Sequence, residues 1–169
     1  MIITDIETIV NFLHGDTEDY QGRTYNDIIE CDDKKMEQCH DQVQWMFPLH
    51  EESNFAMTYP ILTPEAVEEA KKSPIILSNL VTAKDRMEKF YGIGEYEDIN
   101  KQRPWCKEYD HNLLRITRII RCLRLFGLED DAQDFYEKAL KAAEYFGLSN
   151  VTKAYWWRAA KEDVWETLR

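Results

Sequence analysis

The hydrophobic pattern is most distinctive over residues 36–47. Apolar or semi-apolar side chains recur there every three or four positions, which is the spacing of a helix face turned into a core. The positions are Met36, Cys39, His40, Val43, Met46 and Phe47. Trp45 lies on the opposite side of the same helix, about 200° from Val43, and Pro48 would end the helix. A helix that is apolar on two sides is covered on both, so we predict a central helix over residues 34–47.

The rest of the chain carries further helical signals and no convincing alternation of apolar and polar residues. Thr63-Pro64 and Ser73-Pro74 combine a capping residue with a proline in the first turn, which is typical of helix starts. Three predicted helices end in an aromatic residue, a glycine and an aliphatic residue. This pattern is typical of a helix end at which the glycine adopts the left-handed backbone conformation. These glycines are Gly92, Gly127 and Gly147.

We therefore predict an all-α fold. The 169 residues would form one compact domain of about seven helices. In it the central helix packs against a helix over residues 112–126, and an aromatic helix over residues 149–169 ends the chain.

Composition narrows the class of protein. With 44% hydrophobic residues and five tryptophans, the chain suits a packed globular domain rather than a disordered one. The net charge of −11 argues against a broad nucleic-acid surface. The start has no basic region and no apolar run reaches bilayer length, so we expect no transmembrane segment and a soluble, cytoplasmic protein. The four cysteines lack zinc spacing, so we expect reduced thiols and no metal or cofactor.

Two ten-residue stretches resemble the opioid growth factor receptor conserved domain. They are His40–Leu49, with the sequence HDQVQWMFPL, and His111–Ile120, with the sequence HNLLRITRII. The resemblance covers roughly residues 9–140 and implies a short, single-domain member. In animal members this domain belongs to a receptor for an enkephalin-type peptide, so the resemblance implies protein or peptide binding and receptor-like activity. It supplies no catalytic residue, and Gln42 stands where an aromatic residue is common.

The helix starting near Asn112 carries four arginines opposite its core stripe. They follow one another at intervals of three: Arg115, Arg118, Arg121 and Arg124. One interpretation is internal pairing with carboxylates of neighbouring helices. A second is a site for a phosphate-bearing small molecule, formed by Arg115 and Arg118 with the helix start beside Asn112. A partner interface is the third.

The two resembling stretches each contain a histidine. If their helices pack together, His40 and His111 would approach one cleft, where they would act in acid–base chemistry or bind a metal. However, His40 lies on the apolar side of its helix, which favours a hydrogen-bonded core histidine. His111 lies beside Asp110 and Asn112, which favours a role at the helix start. No HExxH, phosphate loop or G-x-S-x-G motif is present, so we lean towards a non-enzymatic protein.

Aromatic residues give two candidate contact surfaces. Trp45, Phe47, Phe55 and Tyr59 either pack in the core or line a groove for a peptide. Three consecutive aromatics, residues 155–157, cannot all face one side of a helix. At least one is then exposed or contacts a partner, and a homodimer is the plain expectation.

Three functions follow as hypotheses. The first is an interaction domain that binds a protein or peptide through the surface around Trp45 and the loop after Pro48. The second is anion or nucleotide binding by the arginine helix. The third is an acidic decoy of a mobile genetic element that occupies a nucleic-acid-binding partner. It needs acids clustered on one face, namely Glu18, Asp19, Glu51, Glu52, Glu95, Glu97 and Asp98. The candidate ligand-binding residues are Arg115, Arg118, Arg121, His111, Asn112, His40 and Trp45.

Overall fold

A computed structural model describes residues 1–53 and 58–166. The chain divides into two compact units, Met1–Ala83 and Lys84–Arg169. The predicted single domain, and the predicted packing of the central helix against helix 112–126, concern both units together and stay predictions.

Unit 1 is built from short helices and one small parallel strand pair. Strand β1 (Ile2–Ile3) pairs with β2 (Tyr59–Pro60), with Ile2 opposite Tyr59. The helices are α1 (Ile6–His14), α2 (Tyr25–Glu30), α3 (Asp33–Gln38), α4 (His40–Met46), α5 (Pro64–Lys71) and the first part of α6 (Pro74–Tyr91).

The predicted central helix is two helices with a break at Cys39. This residue has φ −96° and ψ 92°, and its N–H closes α3 on the carbonyl of Lys35. Helix α4 then buries five consecutive residues, Gln42–Met46. The prediction that this segment is buried on both sides is therefore confirmed for residues 42–46. These residues belong to a separate short helix and not to one continuous central helix.

Unit 2 contains the end of α6 and a three-helix bundle. After a 3-10 turn at Gly94–Tyr96 come α7 (Ile99–Trp105), α8 (His111–Leu125), α9 (Glu129–Phe146) and α10 (Asn150–Lys161). Each of the last three helices packs against the other two. No helix was predicted over residues 99–105, where α7 lies, and α10 ends at Lys161, before the predicted end at residue 169.

The three predicted glycine stops are confirmed. Each glycine adopts the left-handed backbone conformation. The amide of the residue after it donates to the carbonyl five residues earlier, as in a Schellman motif. The φ values are 66° for Gly92, 77° for Gly127 and 69° for Gly147. The bonds are Ile93 to Glu88 at 3.1 Å, Leu128 to Leu123 at 2.9 Å and Leu148 to Ala143 at 2.9 Å.

The all-α prediction is confirmed. Residues 1–53 and 58–166 contain ten α-helices and two strands of two residues each. The count exceeds the expected seven, partly because the central helix is split and α7 was not predicted. Within the same ranges, no helix has both the length and the hydrophobicity that crossing a bilayer demands.

Candidate functional site

The arginines of α8 reach the C-terminal end of α10. Arg121 donates through Nη2 to the carbonyls of Glu166 at 2.7 Å and Val164 at 3.5 Å. Arg124 donates through Nη1 to the carbonyls of Ala159 at 2.8 Å and Glu162 at 2.6 Å. The last carbonyls of a helix lack partners inside the helix and carry its negative end, so the guanidinium of Arg124 stabilises the end of α10. Arg121 instead bonds to carbonyls of the segment that follows the helix.

These contacts bear on the interpretation of the arginine helix as internally paired. Arg124 does meet the carboxylate of Glu129 at 3.0 Å, as that interpretation expects. The contacts to α10 are instead made with main-chain oxygens. Arg121, named as a ligand-binding candidate, is 3% exposed and helps to hold the segment after α10.

A carboxylate occupies the start of α8. Asp110 is the N-cap and accepts from the amide of Asn112 at 2.9 Å and from its side chain at 3.0 Å. His111 is the first residue of α8 and lies beside Asp110, with Nδ1 3.9 Å from the carboxylate. Its predicted position at the helix start is therefore confirmed, and its role there stays a prediction. An anion already sits at the positive end of this helix, which disfavours a second one there.

Asn112 links the helix start to its surroundings. It is buried, and its Oδ1 accepts from Tyr91 Oη and from Arg115 Nη1, both at 3.3 Å. Arg115 is buried and Arg118 is half-buried. Of the α8 candidates, the structure therefore brings Asn112, Arg115 and His111 together around the first two turns.

His40 does not lie in the core. It is the first residue of α4 and is exposed, so the expected core histidine is wrong. The break at Cys39 explains the difference, because it removes His40 from the face that a continuous helix would have turned inward. The proposed cleft shared with His111 involves both units and stays a prediction.

Trp45 is a core residue of unit 1. Its indole lies edge-on to Phe12, with ring centroids 4.9 Å apart, and Nε1 donates to the carbonyl of Thr58 at 3.1 Å. Phe47 and Tyr59 are also buried, while Phe55 lies outside the described residues. The described members of the proposed aromatic groove therefore pack inside unit 1. Trp45 holds the chain before β2 and its side chain is not part of an exposed surface.

A buried ionic cluster in unit 1 was not predicted. Arg23 bonds through Nε to Asp19 at 2.7 Å and through Nη2 to Asp41 at 2.9 Å. Asp19 also accepts from the amides of Gln21 and Arg23, which shapes the loop before α2. Burial by itself lowers the pKa of Arg23, but the bonds to Asp41 and Asp19 outweigh it and raise the pKa above its ordinary value. The four-residue spacing of Asp19 and Arg23 was the available sequence signal.

Unit 2 has an ionic cluster of its own. Lys84 contacts Glu88 at 3.3 Å and Asp134 at 2.6 Å, and Lys138 contacts the same two carboxylates at 2.9 and 2.8 Å. Glu88 is buried and Asp134 is half-exposed. Burial lowers the pKa of Lys138, but hydrogen bonds to Asp134 and Glu88 outweigh this effect and raise it. Alternating charges at spacing four on α6 and α9 were the sequence signal.

The three consecutive aromatics of α10 divide as predicted. Trp156 is fully buried and donates through Nε1 to the carbonyl of Leu113 at 3.1 Å. Tyr155 is 40% exposed and Trp157 is 50% exposed. The prediction that at least one of them is exposed is therefore confirmed.

Comparison with known proteins adds the family. The model of the opioid growth factor receptor (OGFr) conserved region matches residues 16–145, which is more than half of the chain. The chain belongs to the opioid growth factor receptor conserved-region family. This confirms the resemblance noted in the two ten-residue stretches. The matched range of the family includes α8 and nearly all of α9 and ends before α10.

Individual relatives agree with this assignment. Opioid growth factor receptor-like protein 1 of Xenopus tropicalis is 36% identical over 137 residues, which are 75% of this chain and 23% of that protein. The opioid growth factor receptors of mouse and human are 37% and 36% identical, over 56% of this chain and 16% and 15% of their own lengths. The match thus spans less than a quarter of these family members. No solved structure matches the chain.

Proposed function

We propose that this family member is a non-enzymatic interaction domain that binds a protein or peptide partner. The observation that supports it is an exposed apolar patch on unit 2. Its members are large side chains on the first turns of α8 and α10. They are Leu114, Val151 and Tyr155. Exposed aromatic side chains are enriched at protein interfaces.

Helix geometry supports grouping these residues. Helices α8 and α10 run in the same direction, because Trp156 meets Leu113 and the later Glu162 meets Arg124. Leu114 lies on the same stripe of α8 as Arg121 and Arg124, since the spacings are seven and ten residues. Leu114 therefore faces the first turns of α10, where Val151 and Tyr155 lie exposed. This patch replaces the surface around Trp45 as the proposed binding surface, because the Trp45 side chain is buried.

In-cell photo-crosslinking tests the proposal. A benzoylphenylalanine placed at position 155 is expected to give a discrete adduct with a partner, which mass spectrometry identifies. The matched control is position 75, because Ile75 is an exposed apolar residue of unit 1. The second substitution Val151→Ser, one turn before position 155 on the same face of α10, should abolish the adduct at position 155. Equal adducts at positions 75 and 155 would contradict the proposal.

A cytoplasmic location stays a prediction, to be checked by fractionation of the same cells.

The names of the relatives suggest an opioid peptide as a ligand to test with purified protein. Because two of them are named opioid growth factor receptors, titration calorimetry with an opioid peptide is the direct test of peptide reception. We expect that Tyr155→Ser reduces any binding and that Ile75→Ser leaves it unchanged. If neither substitution changes the affinity for the peptide, the peptide does not bind at the exposed patch.

Binding of a small anion is the second candidate function. Helix α8 has four arginines and no acidic residue, and the proposed site consists of Arg115 and Arg118 near the start of the helix. Phosphate or ATP should then raise the Tm of the protein, because a ligand stabilises the state that it binds. Arg118→Glu should abolish that rise, whereas Arg103→Glu, at an exposed arginine of α7, should not. An unchanged Tm in wild-type protein would exclude this site.

The acidic-decoy hypothesis has less support. Asp19 is buried and bonded to Arg23, and Glu97 pairs with Lys141 at 3.3 Å. Neither carboxylate is then available in the form that imitation of a polyanion requires. We therefore do not propose this function.

A further inference from the structure

The turn between α7 and α8 contains a strained tyrosine. Tyr109 has φ 65°, and across residues 1–53 and 58–166 no other residue except glycine has a positive φ. This left-handed conformation is sterically unfavourable for a residue with a large side chain. The side chain of Tyr109 is also fully exposed, so packing within unit 2 does not compensate the strain. A backbone outlier of this kind persists only where its surroundings impose it, and such outliers cluster at functional sites.

Hydrogen bonds on both sides of Tyr109 impose its conformation. On one side, the carboxylate of Glu108 accepts from the amide and the hydroxyl of Ser149 and from the hydroxyl of Thr152. On the other side, Asp110 is the N-cap of α8. The backbone of Tyr109 is therefore held at a fixed point of the surface. A partner that binds this side chain does not have to order a flexible loop, which lowers the entropy cost of binding.

Tyr109 lies at the same end of the helix bundle as the exposed patch. Glu108 bonds to Ser149, the N-cap of α10, and Val151 of the patch lies two residues further on. Leu114 of the patch is in the first turn of α8, which begins two residues after Tyr109. Tyr109 therefore extends the exposed patch of the proposed function.

The shape of this region determines which kind of partner fits it. A side chain that projects from the surface is buried only when the partner supplies a concave pocket. A folded protein has such pockets, whereas a short peptide does not. A tyrosine hydroxyl needs a hydrogen-bond partner once it is buried, so the pocket must contain one. Tyrosine is enriched among the residues that dominate binding energy at interfaces.

The charges around Tyr109 favour an acidic rim on that pocket. Glu108 and Asp110 already accept hydrogen bonds from donors of this chain. Lys107 is exposed two residues before Tyr109, and Arg118 lies one helical turn after the patch residue of α8. Carboxylates of a partner would therefore meet cations beside the patch, and complementary charges guide the association of two proteins.

We propose that Tyr109 is the side chain through which the exposed patch binds a folded partner protein. The partner supplies an apolar pocket, a hydrogen-bonding group for the phenol and carboxylates at the rim of the pocket. This proposal rests on the proposed function, because it concerns the same surface, and it selects a folded protein over a short peptide as the partner.

Cross-linking in cells tests the role of Tyr109. In the full chain with benzoylphenylalanine at position 155, Tyr109→Gly should reduce the adduct about tenfold or more, because the main contact is removed. The same substitution should leave the Tm unchanged or raise it, because glycine adopts a positive φ without strain. The matched control, Tyr145→Ser, removes another exposed tyrosine of unit 2 and should keep the adduct.

The possible results separate this proposal from the proposed function. An unchanged adduct in Tyr109→Gly overturns the role of Tyr109 and leaves the exposed-patch proposal standing. Absence of any adduct at position 155 in the chain with Tyr109 intact overturns both. A clear fall in the Tm of Tyr109→Gly also overturns the role of Tyr109 in binding, because it would show that the side chain stabilises the fold.

The cross-linked partner then tests the pocket. The partner is identified by mass spectrometry, purified and titrated with the full chain by calorimetry. Tyr109→Phe should weaken binding about fivefold or more, because it leaves a group of the pocket unpaired. Lys107→Glu should weaken binding about threefold or more, whereas Lys34→Glu, at an exposed lysine of α3, should not.

The nature of the adduct decides the class of partner. An adduct between two copies of this chain, or with a short peptide, overturns the proposal of a folded partner protein. An unchanged affinity of Tyr109→Phe excludes the hydrogen-bonding group in the pocket, and an unchanged affinity of Lys107→Glu excludes the acidic rim.

Discussion

Two buried arginines show how differently the two units use the same side chain. Arg23 of unit 1 is 8% exposed and Arg121 of unit 2 is 3% exposed. Arg23 bonds to the carboxylates of Asp19 and Asp41, whereas Arg121 bonds to the main-chain carbonyls of Val164 and Glu166. A carboxylate pair requires particular residues, while a carbonyl is supplied by any sequence. The first arrangement therefore fixes one loop through particular side chains, and the second holds the segment after α10 through its main chain.

The largest expected effect is the loss of Arg23. Arg23→Met leaves Asp19, whose side chain is 0% exposed, without its cation. Removing one partner of a buried ion pair typically costs about 3–5 kcal/mol of unfolding free energy. Urea unfolding measures this loss. The control is Arg158→Met, which breaks the partly exposed pair with Glu162 and should cost about 1 kcal/mol or less. Equal losses of unfolding free energy in Arg23→Met and Arg158→Met would contradict the expected difference between a buried and an exposed ion pair.

Loss of Arg121 should cost less. Arg121→Met removes charged hydrogen bonds to the carbonyls of Val164 and Glu166, which are worth about 1.5–3 kcal/mol together. Hydrogen exchange should also increase in residues 162–166 and stay unchanged in unit 1. Arg103→Met, at an exposed position of α7, is the control and should change neither quantity.

Gln42 offers a substitution that should stabilise unit 1. The residue is 0% exposed, and its Nε2 is without a hydrogen-bond partner among the described residues. Gln42→Met removes this donor at similar volume and should raise the unfolding free energy by about 1 kcal/mol. Gln38→Met, at an exposed position, should have no such effect. A lower melting temperature for Gln42→Met would show that the amide is satisfied in solution.

The smallest effect concerns acid stability in unit 2. Burial raises the pKa of Asp134, but hydrogen bonds from Lys138 and Lys84 outweigh this effect and leave the pKa below its ordinary value of 3.8. A carboxyl whose pKa is lowered by folding stabilises the protein above the unfolded pKa, and this contribution is lost as the pH falls through the folded one. Urea midpoints at pH 6 and pH 3, on either side of about 4, should therefore differ more in wild-type protein than in Asp134→Asn.

The matched control for this pH experiment is Asp130→Asn. Asp130 is an exposed acid in the first turn of α9, so its replacement should leave the difference between the two midpoints as in wild-type protein. An identical acid response of wild-type protein and Asp134→Asn would show that the ion cluster does not contribute in solution.

The sequence by itself determined the features that depend on near neighbours along the chain. Helix periodicity, the glycine stops at Gly92, Gly127 and Gly147, and the split of the aromatics around Trp156 follow from backbone geometry within about one or two turns. The two ten-residue stretches also determined the family, because a run of matching residues is read directly from the chain.

Only the tertiary structure decided the partners of the charged side chains. Arg23 meets Asp41, 18 residues away, and Arg121 meets Glu166, 45 residues away. Local periodicity places an arginine on a helix face but does not specify which distant oxygen comes within hydrogen-bonding distance of it. The same limit explains why His40 was misplaced. His40 is exposed because the helix breaks at Cys39, and the short helix that follows the break buries residues 42–46 instead. Long-range packing therefore decided which candidate residues are structural and which remain available for binding.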